Sequence, residues 1–208
     1  TRQYIDTVRF ITNTSSGFMG KVLAQSFLKK NFKVKIITGP VTIKYPEKAC
    51  VKEVLTADEM YDEVKKNFSS TDIFVFAAAV CDWTVKTSPR KIHSKSLKIN
   101  LYPAVDVAKE IGKIKGEKIS VGFALEDEID VERALKKMRN KNFDLIVLNK
   151  KSALSSCFTT GILISKKGDA VFFNKIRKEK LSDLILACII HASPTQHFSE
   201  KVLGRGQP

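Results

Sequence analysis

Residues 13–38 read NTSSGFMGKVLAQSFLKKNFKVKIIT and place three elements in the order that builds an α/β unit. A loop of small residues at 13–20 comes first, and apolar residues at helical spacing then predict a helix over residues 17–30. Residues 34–38 form a short apolar run rich in β-branched side chains, which is typical of a buried strand. A small-residue loop that opens a helix before such a strand predicts a nucleotide-binding fold.

The same alternation continues along the chain. Further buried strands are predicted at residues 73–80, 119–123 and 144–149, and helices at 57–67, 105–113, 130–141 and 175–192. A β-hairpin is predicted where residues 162–165 and 170–173 flank Lys167-Gly168-Asp169. Strand and helix in alternation build parallel sheets covered on both faces. We therefore predict an α/β fold, with a doubly wound, mostly parallel, Rossmann-like sheet and an antiparallel hairpin at its edge.

The length and the distribution of apolar residues limit the possible architectures. A chain of 208 residues fits one domain, expected over residues 1–192, while residues 193–208 lack periodicity and are expected to form a disordered tail. No apolar run approaches the roughly 20 residues that span a bilayer, and no secretory signal begins the sequence. We expect a cytoplasmic protein without a membrane partner.

Cysteine, histidine and charge limit the possible functions. The four cysteines and three histidines are scattered without a C-x-x-C pair, which disfavours a zinc or redox site. The net charge of +14 attracts phosphate-bearing ligands and nucleic acids alike. Because no nucleic-acid-binding motif is present, a basic nucleic-acid-binding module remains only an alternative function.

Ser15, Ser16 and Gly17 are the candidate phosphate-binding residues of the small-residue loop. The loop resembles G-x-G-x-x-G with Ser15 at the first glycine position. Small residues let the backbone approach phosphate oxygens, and the start of the following helix directs N–H groups and a positive dipole end toward them. A serine that only caps the helix is the alternative interpretation.

The second predicted strand lacks the acidic residue of a dinucleotide site. Such a residue lies about 20 positions beyond the glycines and binds the ribose hydroxyls of NAD. Here the strand ends with Thr38-Gly39-Pro40. A nicotinamide-dependent reductase is therefore a disfavoured alternative.

Ala78, Ala79 and Asp82 lie at the carboxyl end of the strand predicted at 73–80, where open α/β sheets bind ligands. The alanines leave room for a base or ribose, and Asp82 is placed to hold a ribose hydroxyl or a phosphate-bound Mg²⁺. Helix packing, with Asp82 as a loop cap, is the alternative. Lys91 follows in a polar loop and is either a phosphate ligand or a solvated lysine. Phe123 ends another strand and either contacts the ligand or packs in the core.

Taken in order, these segments resemble phosphopantothenoylcysteine synthetases, the ligase domains of the DNA/pantothenate metabolism flavoprotein family. Residues 6–20 are similar to the family's D-x-V-R-x-I-x-N-x-S-S-G-K-M-G signature, although Phe18 replaces the usual lysine. Residues 78–83 and 121–126 are similar to A-A-V-A-D-Y and V-G-F-A-A-E. The K-x-x-x-K-x-x-D-x-x-x-x-N spacing is matched by Lys137, Lys141, Asp144 and Asn149.

The resemblance implies a reaction and a set of partners. Family members activate 4′-phosphopantothenate with a nucleoside triphosphate and then couple it to cysteine, a step of coenzyme A biosynthesis. The loop at 13–20 looks bacterial, which favours CTP over ATP. The resemblance also implies a homodimer, a first strand before Thr1, and a possible upstream flavin-dependent decarboxylase domain. No flavin is expected on this domain alone.

The resemblance also assigns roles to individual residues. Asn13 and Lys91 are the implied catalytic residues, and Asp82 is the implied Mg²⁺ site. Substrate binding is implied for Arg9, Asn13 and Ala79. Nucleotide binding is implied for Ser15, Ser16, Gly17, Ala78, Asp82, Lys91, Phe123, Lys137 and Lys141.

Overall fold

The computed structural model describes residues 1–154 and 156–192 of the 208-residue chain. Its strands are β1 (Arg2–Tyr4), β2 (Phe10–Thr12), β3 (Lys35–Thr38), β4 (Cys50–Glu53), β5 (Ile73–Phe76), β6 (Trp83–Thr84), β7 (Tyr102–Pro103), β8 (Ile119–Glu126), β9 (Leu145–Lys150), β10 (Phe158–Ser165) and β11 (Ala170–Arg177). Its α-helices are α1 (Phe18–Lys29), α2 (Ala57–Lys66), α3 (Val107–Ile114), α4 (Val131–Asn140) and α5 (Lys178–Ala192).

Five strands form the central sheet in the order β11-β10-β9-β8-β5. The strands β5, β8 and β9 are parallel, β10 runs antiparallel to β9, and β11 reverses direction again. Four of the five strands therefore run in one direction. The predicted mostly parallel α/β sheet with an antiparallel edge hairpin is confirmed.

The burial of β9 explains why its sequence is an unbroken apolar run. Leu145 and Val147 face the cluster that α1 and α5 form on one side of the sheet. Ile146 and Leu148 face the cluster that includes α4 on the other side. Because both faces are covered, every position favours an apolar side chain, and burial of each contributes roughly 1.5–3 kcal/mol.

The strand predicted at residues 34–38 forms β3 but does not join the central sheet. It pairs in parallel with β4, whose residues are exposed. Among the described strands, none lies between β3 and β5, so a cleft separates their facing edges. Two short antiparallel ribbons, β1–β2 and β6–β7, complete the strands. The strand that the resemblance places before Thr1 stays a prediction.

Local side chains set the helix ends. At the start of α2, Thr56 accepts a hydrogen bond from Glu59 N at 3.1 Å, while the Glu59 carboxylate accepts one from Leu55 N at 2.8 Å. This is the reciprocal arrangement of a capping box. The helices α1 and α4 end next to Asn31 and Asn142, whose φ angles of 62° and 52° are left-handed. Asparagine tolerates that conformation better than most residues, so it stops a helix there.

Two predicted boundaries are wrong. The strand predicted to extend to Val80 ends at Phe76, because the backbone turns when Ala77 N donates to Val75 O at 3.1 Å. The helix predicted to begin at Lys175 begins at Lys178, because Lys175 N donates to Thr160 Oγ1 at 2.9 Å and stays in β11.

In the described ranges, no helix is long and apolar enough to cross a bilayer. The tail predicted to be disordered, residues 193–208, lies outside the described residues.

Candidate functional site

A cleft with a volume of about 1600 Å³ lies between the facing edges of β3 and β5 and includes the loops at their carboxyl ends. Ligands bind at this position in open α/β sheets. Of the twelve site residues predicted from the sequence, ten line it, namely Asn13, Ser15, Ser16, Gly17, Ala78, Ala79, Asp82, Phe123, Lys137 and Lys141. Arg9 and Lys91 lie outside it.

The phosphate-binding loop ends at a helix start that has no competing cap. Gly17, rather than a serine, is the capping residue of α1, and no acidic residue lies in the first turn. Ser16 Oγ accepts a single hydrogen bond, from Phe18 N at 3.3 Å. The remaining N–H groups of the first turn are therefore available to an anion, which the helix dipole also favours.

Backbone conformation and a close contact both require glycine at position 17. Its φ of 77° is left-handed, and an added Cβ would lie 3.1 Å from Tyr45 Oη. Tyr45 donates to or accepts from Thr38 Oγ1 at 2.9 Å, which connects this contact to the end of β3. Tyr45 is thus a cleft residue that the sequence analysis missed, because no local motif marks it.

Asn13 connects the phosphate loop to the loop after β5. Its Nδ2 atom donates to the carbonyl oxygens of Val80 and Ala79, at 3.1 and 3.3 Å. The amide is exposed, so its Oδ1 atom remains open to a ligand. Asn13 therefore positions the alanine segment and contributes an acceptor to the cleft.

Two lysines of α4 and its C-cap bring positive charge to the cleft. Lys141 contacts Asp106, with Nζ 2.8 Å from Oδ2, while Lys137 has no carboxylate within 4 Å among the described residues. Burial lowers the pKa of Lys137, and the neighbouring charge of Lys141 lowers it further, although Glu126, Asp82 and Asp106 oppose this change. A polyanion bound here would relieve the repulsion between the two cations.

Asp82 is the carboxylate that the sequence assigned to a metal. It is exposed at the cleft, and its backbone oxygen accepts a hydrogen bond from Ala104 N at 2.9 Å. Over residues 1–154 and 156–192, no cluster of three or more potential metal ligands occurs. One carboxylate fits Mg²⁺ that is held mainly by substrate phosphates and water, but it does not form a protein-built metal site.

Two motif residues shared with the resembled family have structural roles. A Cβ on Gly122 would overlap the ring of Phe143, which is only 2% exposed, so this glycine makes room for core packing. Asp144 accepts hydrogen bonds from Ser120 N at 2.7 Å and Lys115 Nζ at 2.8 Å. Phe123, by contrast, is half-buried and lines the cleft.

Arg9 and the Lys91 loop meet at a buried carboxylate outside the cleft. Asp6 is fully buried and accepts from Arg9 N and Val8 N at 2.8 Å and from Ile92 N at 3.1 Å. These bonds, that of Arg9 N first, lower the pKa of Asp6 to about 2. Arg9 Nη2 also donates to Ile92 O at 3.0 Å. The exposed Lys91 is thereby connected to the β1–β2 turn.

Asp106 is a second cleft residue that the sequence analysis missed. It caps α3 by accepting from Lys109 N at 3.1 Å and also binds Lys141. An aspartate just before a helix predicts the cap. The contact with Lys141, 35 positions away, had no local signal.

The chain was compared with known protein families and proteins. Residues 1–192 match the family described as the DNA/pantothenate metabolism flavoprotein C-terminal domain. Over 191 residues the chain is 38% identical to a protein named cysteine/cysteine sulfinic acid decarboxylase, from an unknown prokaryotic organism, which covers 87% of this chain and 53% of that protein. It is 40% identical over 154 residues to the coenzyme A biosynthesis bifunctional protein CoaBC of Bacillus subtilis, covering 72% and 38%. The chain thus spans about half or less of these relatives.

Solved structures give the same comparison in three dimensions. The C-terminal domain of a coenzyme A biosynthesis bifunctional protein CoaBC superposes with a TM-score of 0.80 at 30% identity, covering 91% of this chain and 89% of the other. A Cab2 variant in complex with phosphopantothenate-cysteine superposes with a TM-score of 0.73 at 19% identity, covering 91% and 82%. At that identity the second likeness shows the fold alone.

Proposed function

The chain belongs to the DNA/pantothenate metabolism flavoprotein C-terminal domain family, and we propose that it is a phosphopantothenate-cysteine ligase of coenzyme A biosynthesis. The observation that carries this proposal is the convergence of an uncapped helix start, two lysines and one exposed carboxylate on a single cleft. The name of the Bacillus subtilis relative and the ligand of the Cab2 complex support it. Neither alternative, a nicotinamide-dependent reductase or a nucleic-acid-binding module, is favoured by the family match.

The first step joins the substrate to a nucleotide. A carboxylate oxygen of 4′-phosphopantothenate attacks the α-phosphorus of the triphosphate, and the bond to the bridging oxygen breaks. Pyrophosphate leaves with the electron pair. The free N–H groups at the start of α1 hold phosphate oxygens, while Lys137 and Lys141 offset negative charge that develops on the leaving group. No protein nucleophile is needed, so positioning and charge supply the catalysis.

The second step forms the amide. The cysteine nitrogen attacks the activated acyl carbon, the acyl–oxygen bond breaks, and the nucleoside monophosphate leaves as the amine loses a proton. Asn13 is the residue best placed to orient the acyl group, because its Nδ2 atom is held by the Ala79 and Val80 carbonyls while Oδ1 remains open. Ala79 contributes a small surface beside it.

Mg²⁺ would be held by the triphosphate, by water and by Asp82, and would neutralise phosphate charge. We further propose CTP as the nucleotide, because the loop at residues 13–20 is similar to that of bacterial family members. A homodimer and an upstream flavin-dependent decarboxylase domain remain parts of this proposal.

Pyrophosphate release tests the proposed function. The full-length protein is incubated with CTP or ATP and Mg²⁺, with and without 4′-phosphopantothenate. We expect release only when phosphopantothenate is present, and much faster release with CTP. Equal rates with both nucleotides would refute the CTP assignment, and release without phosphopantothenate would refute the acyl-activation step.

Single-turnover measurements test Asn13. An Asn13→Asp variant loses the donor to the Ala79 and Val80 carbonyls and adds a charge that opposes the anionic intermediate. Amide formation should therefore fall more than pyrophosphate release. If the two steps slow equally, the orienting role is wrong.

A further inference from the structure

Lys178 is a buried cation that the reaction described above does not use. It is the first residue of α5 and is only 8% exposed. Its Nζ atom donates to the Ala153 carbonyl oxygen at 2.8 Å, and no carboxylate lies within 4 Å of it in the described part of the chain. An ammonium group has three N–H donors, so two remain without a described acceptor. A buried charge without a counterion is costly to the fold.

The position of Lys178 points to a ligand rather than to a missing protein partner. Lys178 lines the same cleft as the phosphate loop, and its Nζ atom lies 5.8 Å from the ring centroid of Phe18, the first residue of α1. The ammonium group therefore borders the helix start whose N–H groups are free. Two sources of positive potential, from α1 and α5, face one space.

A neutral donor lies in the same part of the cleft. Asn149, at the carboxyl end of β9, is 8% exposed and lines the cleft together with Thr159. Thr159 Oγ1 donates to Asn149 Oδ1 at 3.0 Å, which fixes the orientation of the amide. Within the described residues no acceptor is found for the Asn149 amide N–H groups. Lys178 and Asn149 are thus both nine-tenths buried and both offer donors.

We propose that Lys178 and Asn149 form a phosphate-binding subsite of the cleft, next to the start of α1. The subsite takes a phosphate oxyanion of a substrate, either a terminal phosphate of the nucleotide or the phosphate of 4′-phosphopantothenate. The inference rests on the proposed function for the identity of those substrates. It assigns both residues a direct contact with ligand.

The physical chemistry of the site supports an anion. Burial lowers the pKa of Lys178, although Cys157 and Glu179 oppose this change. A bound phosphate would stabilise the ammonium form and offset the cost of its burial. Charge-assisted hydrogen bonds of this kind are about twice as strong as neutral ones, so loss of the ammonium should weaken binding measurably.

Binding of inorganic pyrophosphate tests the subsite without requiring turnover. Calorimetric titrations compare the full-length protein with Lys178→Met, which keeps the apolar stem, and with Lys178→Arg, which keeps the charge. The control is Lys180→Met, an exposed lysine in the same helical turn. We expect about tenfold weaker binding for Lys178→Met, partial recovery for Lys178→Arg and no change for the control.

The results separate binding from structural support. A residue that only anchors Ala153 would lower the melting temperature but leave the ligand-induced increase in melting temperature intact, which would overturn the proposal. Wild-type affinity in Lys178→Met, or no pyrophosphate binding by the wild type, would overturn it as well. If Lys178→Met does not fold, Asn149→Asp decides, because a carboxylate there must weaken pyrophosphate binding.

Turnover distinguishes the two phosphate sources. A higher KM for the nucleotide in Lys178→Met identifies the triphosphate as the occupant, and a higher KM for phosphopantothenate identifies its phosphate. Unchanged KM values for both contradict the subsite. If the wild type turns over no triphosphate at all, the proposed function fails, whereas the pyrophosphate titrations still test the subsite on their own.

Discussion

Replacing Gly20 by alanine separates helix stability from ligand binding at the phosphate loop. Gly20 is the third residue of α1 and does not have a positive φ. An added Cβ would contact only Tyr45, at 3.9 Å from Oη and 4.0 Å from Cε1, which are ordinary van der Waals distances. Glycine inside a helix costs about 0.8–1 kcal/mol relative to alanine. On packing alone, Gly20→Ala should therefore stabilise the domain.

The expected magnitude follows from these contacts. We expect the free energy of unfolding to increase by up to about 1 kcal/mol, which raises the melting temperature of a domain of this size by about 2–4 °C. The new methyl group would nevertheless project into the cleft beside the free N–H groups of α1. It would displace a phosphate from at least one of them, so the KM for CTP should rise at least about tenfold.

The assay combines thermal unfolding with pyrophosphate release on the same preparation. Gly122→Ala is the contrasting variant, because its methyl group would overlap the ring of Phe143 in the core. Such overpacking typically costs about 1–3 kcal/mol, so this variant should lose stability. The reasoning is refuted if Gly20→Ala destabilises the domain, or if it is stabilised and keeps the wild-type KM for CTP.

Two further predictions concern the loop that lies outside the cleft. Lys91→Gln should slow pyrophosphate release at least about tenfold, because a positioned ammonium group stabilises the leaving phosphates, whereas Lys95→Gln in the same polar stretch should stay active. Equal rates for the two variants would make Lys91 a surface lysine. The pKa of Asp6 is lowered from 3.8 to about 2, so the stability it contributes is present above pH 4 and is lost as the pH falls toward 2. The difference in melting temperature between the wild type and Asp6→Asn should therefore shrink from pH 5 to pH 2, and a constant difference would contradict this role.

The sequence alone predicted the local elements and most of the site. The apolar run at 144–149 corresponds to β9, at Leu145–Lys150, because a strand covered on both faces needs apolar side chains at every position. The turn at Lys167-Gly168-Asp169 corresponds to the β10–β11 hairpin, where Gly168 has a φ of 98°. Residues near the carboxyl ends of strands meet at one edge of a sheet, which is why Asp82 and Phe123 could be placed in one cleft.

Only the tertiary structure decided which distant residues meet. No periodicity links Lys141 to Asp106 or Gly122 to Phe143, because those contacts depend on how α3, α4 and β8 pack after they form. The separation of β3 from the central sheet is likewise a matter of strand order, which side-chain alternation does not encode. Side-chain patterns are set by which face of an element is buried, whereas partners across the fold are set by the path of the chain between elements. That path placed ten predicted residues in the cleft and left Arg9 and Lys91 outside it.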